Sequence, residues 1–135
     1  AIARGSLTED ERVEIELHVT HTYGILRMVP WSRGLEAVPE IAYKHHEKLD
    51  GTGYPHHTRS ELIPIQSRML TICDIHDALT ADDRPYKRAV PLEKGLSILG
   101  DEVKAGKLDS QLFQVFVDAR IYELMKGRRP DRKVA

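Results

Sequence analysis

Tyr43-Lys44-His45-His46-Glu47-Lys48-Leu49-Asp50-Gly51-Thr52-Gly53-Tyr54-Pro55 is the stretch on which the reading of this chain depends. Two adjacent imidazoles lead through charged residues into a glycine turn that closes on an aromatic and a proline. Immediately upstream, Val38, Ile41, Ala42 and His45 follow the i, i+3, i+4, i+7 spacing of one helical face, and Pro39 suits a first helical turn, where its missing N–H costs nothing. The spacing predicts a helix that carries His45 into a core, with His46 about 100° round the axis. Asp50-Gly51-Thr52-Gly53 then ends it in a tight turn, and residues 56–63 read as a polar surface loop.

Helical signals continue on both sides. Thr8-Glu9-Asp10-Glu11 reads as a capping box. The helix it opens carries Val13, Leu17, His21 and Gly24 on one stripe and Ile15, His18, Thr22 and Ile25 on the next, and is expected to reach Val29 before Pro30. Ile63-Pro64 opens another, with Ile65, Met69, Ile72, His76 and Leu79 along one stripe and Leu70, Asp74 and Asp77 along its neighbour. Asp74 follows Leu70-Thr71-Ile72-Cys73, an apolar setting in which a carboxylate needs a cation or several donors. Asp82 to Arg88 is a charged loop broken by Pro85. Pro91 starts a helix bearing Leu92, Leu96 and Leu99 that ends near Gly106, and Asp109 caps a last one with Leu112, Phe113, Phe116, Val117, Ile121 and Leu124 on its buried face. No repeat and no convincing strand is present, so the expected class is all-α, with one domain over 1–126 and a basic, solvated tail over 127–135.

The composition narrows the partners. At 135 residues the chain is the size of one ordinary domain, and 20 Lys+Arg against 21 Asp+Glu give a net charge of -1, so no bulk attraction to a nucleic-acid polymer or an anionic membrane is expected. No apolar run approaches the roughly 20 residues of a membrane span, and nothing near Ala1 reads as a signal peptide. Cys73 is the single cysteine; it excludes an internal disulfide, is compatible with a reducing cytoplasm, and reads as a small packed hydrophobe.

His18, His45, His46 and Asp74, from three expected helices, form the sharpest constellation. Imidazole nitrogens and a carboxylate oxygen suit Fe, Mn or Zn, and a metal would compensate Asp74. Each histidine alone is better explained as a hydrogen-bonded core residue; the doublet followed by the glycine turn favours the metal. Asp50 to Pro55, on its physics alone, is a helix-ending turn, while a functional version would use Gly53 for close ligand approach and Tyr54 to stack on a base. Arg84 and Lys87, flanking Pro85, are compatible with phosphate binding, although a charged loop is more often simply solvated. His56, His57 and His76 remain unassigned.

Taken together these residues resemble the HD-GYP family, a branch of the HD metal-dependent phosphohydrolases that hydrolyses the bacterial second messenger cyclic di-GMP. His45-His46-Glu47 through Asp50-Gly51-Thr52-Gly53-Tyr54-Pro55 matches its HHE…DGxGYP signature, and Ile63-Pro64 with Arg68 fits the next segment. Asp74 to Thr80 with Arg84-Pro85-Tyr86-Lys87 fits its DxxDALT…RPYK segment.

The resemblance implies an HD-type helical bundle and a metal-dependent phosphodiesterase that cuts cyclic di-GMP to pGpG or GMP. Two or three divalent ions are implied, iron or manganese first, with zinc, magnesium or nickel also compatible. Metal ligands fall on His18, His45, His46 and Asp74; Val19 stands at the family's proline and Thr22 at its glycine. Gly53, Tyr54 and Pro55 would line the substrate side, and Arg84 with Lys87 would grip the phosphodiester. Metal-activated water is the implied nucleophile, so no catalytic side chain is assigned. Attached sensor, receiver or GGDEF-type domains, a homodimer and a cytoplasmic setting all fit.

One departure matters. The His-Asp doublet that names the superfamily, with its glycine, its lysine and an earlier ligand-bearing helix, belongs ahead of Leu7-Thr8; His76-Asp77 comes too late. The favoured expectation is a phosphodiesterase fragment lacking its N-terminal helices. The alternative is a catalytically degenerate module for ligand binding or protein–protein signalling.

Overall fold

The computed structural model describes residues 8–81 and 88–126. Their elements are α1 (Glu9–Arg27), α2 (Val38–Tyr43), a 3-10 turn (Ser60–Leu62), α3 (Ile65–Thr80), α4 (Leu92–Lys104), α5 (Ser110–Asp118) and α6 (Ile121–Lys126). No strand occurs among the described residues beyond a single antiparallel bridge between Asp50 and Arg59, so the fold is all-α. The chain separates into two compact units, one through Thr71 and one from Ile72, with the division inside α3.

In the first unit α1 begins where the capping box predicts. The Glu11 N–H donates to the Thr8 hydroxyl at 3.2 Å, and the Thr8 N–H donates to the Glu11 carboxylate at 2.7 Å. The helix ends at Arg27, two residues short of the expected Val29, and Met28 is its C-cap. Its apolar stripes are present but are not buried: no residue of α1 is buried, and Val13, Ile15, Leu17 and Ile25 are exposed. The helix packs on α2, and Tyr23 stacks on Tyr43 with centroids 4.1 Å apart and planes 9° from parallel.

The second helix is much shorter than expected. It stops at Tyr43, and residues 44–46 form a turn, so the imidazoles are presented from a turn beyond the helix rather than from its face. The cause is competition for carbonyls. The His45 carbonyl accepts from the Thr71 hydroxyl at 2.5 Å, and the His46 carbonyl accepts from the Tyr54 N–H at 3.1 Å. The next two acceptors the helix would use, four residues before His45 and His46, are also engaged: the Ile41 carbonyl accepts from the Ser67 hydroxyl at 2.8 Å and the Ala42 carbonyl from the His45 ring, so the ladder meets competition where it stops. Both histidines are half-buried, not core residues.

Residues 56–63, expected as surface loop, contain the 3-10 turn and end on Ile63, which is 3% exposed. Arg68 secures that turn: its Nε donates to the Ile63 carbonyl at 3.0 Å and its guanidinium also donates to the Ser60 carbonyl.

In the second unit Ile72, Leu99, Leu108, Phe116 and Tyr122 form the buried cluster, with half-buried Cys73, Leu96 and Leu112 against it. His76 is also buried, its ring edge-on to Phe116 at 5.3 Å. Asp109 caps α5 as expected, accepting from the Leu112 N–H at 3.0 Å. The expected single last helix is two, because Ala119 caps α5 and Arg120 takes φ 51 before α6 starts. Leu124, expected in the buried face, is 66% exposed. The basic tail over 127–135 lies outside the described residues.

Candidate metal centre

The doublet is built from the backbone upward. Ser67 and Thr71 lie one turn apart on α3, and their hydroxyls donate to the carbonyls of Ile41 at 2.8 Å and His45 at 2.5 Å, which are spaced by the same interval. Both side chains are buried, Ser67 at 0% and Thr71 at 3% exposure. The start of α3 is thereby fastened to the segment that carries the imidazoles. Neither hydroxyl was singled out from the sequence, where Ser and Thr among apolar residues look like neutral helix positions.

The His45 ring is oriented by a hydrogen bond between Nδ1 and the Ala42 carbonyl. A carbonyl only accepts, so the proton resides on Nδ1 and Nε2 carries the lone pair that a metal takes. His45 and His46 have ring centroids 3.9 Å apart, tilted by 42°. Tyr54 lies flat over His46, 4.9 Å between centroids and 12° from parallel.

The turn that brings Tyr54 back is held from three directions. Asp50 Oδ1 accepts from the Thr52 N–H at 3.0 Å and from its hydroxyl at 2.6 Å, and Gly51 takes φ 81. Gly53 is buried against the backbone of residues 46–48, and a Cβ there would stand 2.6 Å from the Glu47 carbonyl carbon. Glu47, 2% exposed, accepts from the His56 N–H at 2.8 Å with one oxygen and from the Thr58 N–H at 2.9 Å with the other. The Tyr54–Pro55 peptide is cis. Glu47 is the main residue that sequence reasoning passed over: in a polar run its carboxylate reads as solvated, and only its place beside the doublet hinted otherwise.

His18 is exposed on α1. It nonetheless lines two clefts of the first unit, one of about 720 Å³ shared with Glu14, His21, His46 and Tyr54, and one of about 230 Å³ shared with Tyr23, Tyr43, His45 and His46. Asp74 lies on α3 three residues past Thr71 and is exposed, so the expectation of a carboxylate stranded in an apolar setting is corrected: Met69 and Leu70 are exposed as well. His45 and His46 belong to the first unit and Asp74 to the second. Two imidazoles and a carboxylate are a fitting donor set for a first-row divalent ion, and the preset tautomer of His45 strengthens the fit. Pro55 is half-buried beside Tyr54, while Arg84 and Lys87 lie outside the described residues.

Beside Asp74, the Cys73 thiol is pushed up from its ordinary pKa, first by burial and second by the Asp74 charge. That suits a packed hydrophobe rather than a reactive thiolate.

Comparison with known proteins gives the family. The HD domain model matches residues 1–112. The chain is 38% identical over 93% of its length to a 3'3'-cGAMP-specific phosphodiesterase 1 of Vibrio cholerae, and covers 29% of that protein. It is 35% identical over 85% of its length to a cyclic di-GMP phosphodiesterase of Pseudomonas aeruginosa, of which it covers 27%. A cyclic di-GMP phosphodiesterase response regulator of Xanthomonas campestris is 37% identical over 70% of the chain, which covers 25% of it. The chain thus spans less than a third of these relatives. With the HD model matching most of its length and the HHE…DGxGYP and DxxDALT segments in place, the chain belongs to the HD domain family, in its HD-GYP branch.

Proposed function

We propose that the protein to which this chain belongs is a metal-dependent phosphodiesterase acting on 3′,3′-cyclic dinucleotides, with cyclic di-GMP converted to pGpG or GMP. The observation that carries the reading is the oriented imidazole doublet: His45, with its proton on Nδ1, and His46, under Tyr54, offer ring nitrogens beside a cleft of about 720 Å³. By the family's pattern His45, His46 and Asp74 would hold one ion, with His18, which lines the same cleft as His46, completing the set. Divalent ions bound there would polarise a phosphoryl oxygen and lower the pKa of a water near phosphorus.

The protein's own residues supply the rest. The Ala42 carbonyl fixes the donor nitrogen of His45, Thr71 and Ser67 hold the doublet's backbone, and Gly53, Tyr54 and Pro55 form the wall against which a nucleotide rests. Arg84 and Lys87 would hold phosphate oxygens by a guanidinium fork and a point charge. The names of the relatives set two substrates side by side, cyclic di-GMP and 3′,3′-cGAMP. Two or three ions of iron or manganese, attached sensor or GGDEF-type domains, a homodimer and a cytoplasmic setting belong to the same proposal. Among the described residues no helix is long and apolar enough to cross a membrane.

The test is hydrolysis of both dinucleotides by the full-length protein loaded with iron or manganese, alongside His46→Ala. Turnover by the wild type and loss of both metal and turnover in the variant are expected. A metal-loaded wild type that binds dinucleotide without cutting it would overturn the reading in favour of a signalling module.

A further inference from the structure

Glu47 carries a buried carboxylate outside the proposed ligand set of His18, His45, His46 and Asp74. It is 2% exposed, and each of its oxygens receives a backbone N–H, from His56 at 2.8 Å and Thr58 at 2.9 Å. The residue before it, His46, receives the Tyr54 N–H on its carbonyl at 3.1 Å. Alternate amides, at 54, 56 and 58, are therefore gathered by two consecutive residues, and proline at 55 has no N–H to offer. The Tyr54 ring stacks on the imidazole of the same His46 whose carbonyl holds its backbone.

We propose that Glu47 is a positioning residue that, by holding the His56 and Thr58 amides, keeps the Tyr54 ring over the His46 imidazole and so shapes the substrate side of the centre. This rests on the function proposed above. Two features of the carboxylate are needed. Both of its oxygens accept, whereas a glutamine would offer one acceptor and turn an N–H₂ donor toward the second amide. Its reach matters as well, because an aspartate keeps the charge but falls one methylene short of amides nine and eleven residues on.

Wild type, Glu47→Gln and Glu47→Asp are compared as full-length proteins in three measurements: hydrogen exchange at the His56 and Thr58 amides, manganese content after loading with the metal alone, and KM and kcat for cyclic di-GMP and 3′,3′-cGAMP. Both variants should exchange the two amides about tenfold faster or more. They should bind manganese as the wild type does and raise KM about tenfold, with kcat within about threefold. Loss of manganese with amide protection intact would make Glu47 a ligand and overturn the proposal. Wild-type behaviour of Glu47→Asp would overturn it too, since charge and not reach would then be what matters. A wild type that hydrolyses neither dinucleotide would overturn the functional reading instead, while the exchange rates would still decide whether Glu47 holds the segment.

Discussion

Tyr54 is attached to His46 twice: its N–H donates to the His46 carbonyl at 3.1 Å, and its ring stacks on the His46 imidazole at 4.9 Å. The two attachments separate on substitution because only the second belongs to the side chain. Tyr54→Ala keeps the backbone bond and loses the stack, a loss of about 0.5–1.5 kcal/mol beyond the buried area. Tyr54→Phe keeps the ring over the imidazole and should unfold closer to the wild type than Tyr54→Ala does. Denaturant unfolding of the pair checks this, and equal stability of Ala and Phe would show that the stack contributes nothing.

Two glycines should respond in opposite directions. At Gly53 a Cβ would press on backbone atoms of residues 46–48, none of which is a flexible side chain, so Gly53→Ala should destabilise by about 1–3 kcal/mol. At Gly24, inside α1, a Cβ meets nothing within 4 Å, so Gly24→Ala should stabilise by about 0.5–1 kcal/mol. Thermal melts of both variants make the comparison, and a tolerated Gly53→Ala would refute the close approach.

How much of this was legible depends on whether the signal was local. The capping box of Thr8 and Glu11 and the cap at Asp109 bind residues three apart, and both are found as the sequence predicts. The stop of α2 at Tyr43 is not written in the periodicity: the Ile41 carbonyl is taken by the Ser67 hydroxyl, twenty-six residues on, and the Ala42 carbonyl by the His45 ring, and helical spacing carries no trace of either. Glu47 shows the same limit from the other side, since nothing nearby marks a glutamate as buried until the amides of His56 and Thr58 turn to meet it. The break at Arg120, with φ 51, also falls at a residue without helix-ending character in the sequence.

Tyr23 donates its hydroxyl to Glu40 at 2.7 Å, and this bond is the first reason its phenol is pushed up from the usual tyrosine pKa, with burial second. A raised acid adds stability while protonated, so the contribution is complete below the free-tyrosine pKa and is lost as pH rises through the raised value. Alkaline titration followed by phenolate absorbance, taken as the difference from Tyr23→Phe, should show Tyr23 ionising later than free tyrosine. Glu40→Gln should move that ionisation back toward the ordinary value; no movement would remove Glu40 as the cause.

Ser67 and Thr71 should act on the metal centre through backbone alone. Thr71→Val keeps the shape and removes the hydroxyl that reaches the His45 carbonyl, and Ser67→Ala does the same at Ile41. Each should cost about 0.5–1.5 kcal/mol of stability. Their effects on metal affinity should differ, because His45 is itself a proposed ligand while Ile41 lies one turn earlier on α2. Thr71→Val should weaken manganese binding about tenfold, as loss of the groups that orient a ligand commonly does, and Ser67→Ala should weaken it less. Titration of each variant with manganese decides the matter. Equal affinities across wild type and both variants would mean that the hydroxyl pair fastens α3 to the doublet segment without setting the geometry of the imidazoles.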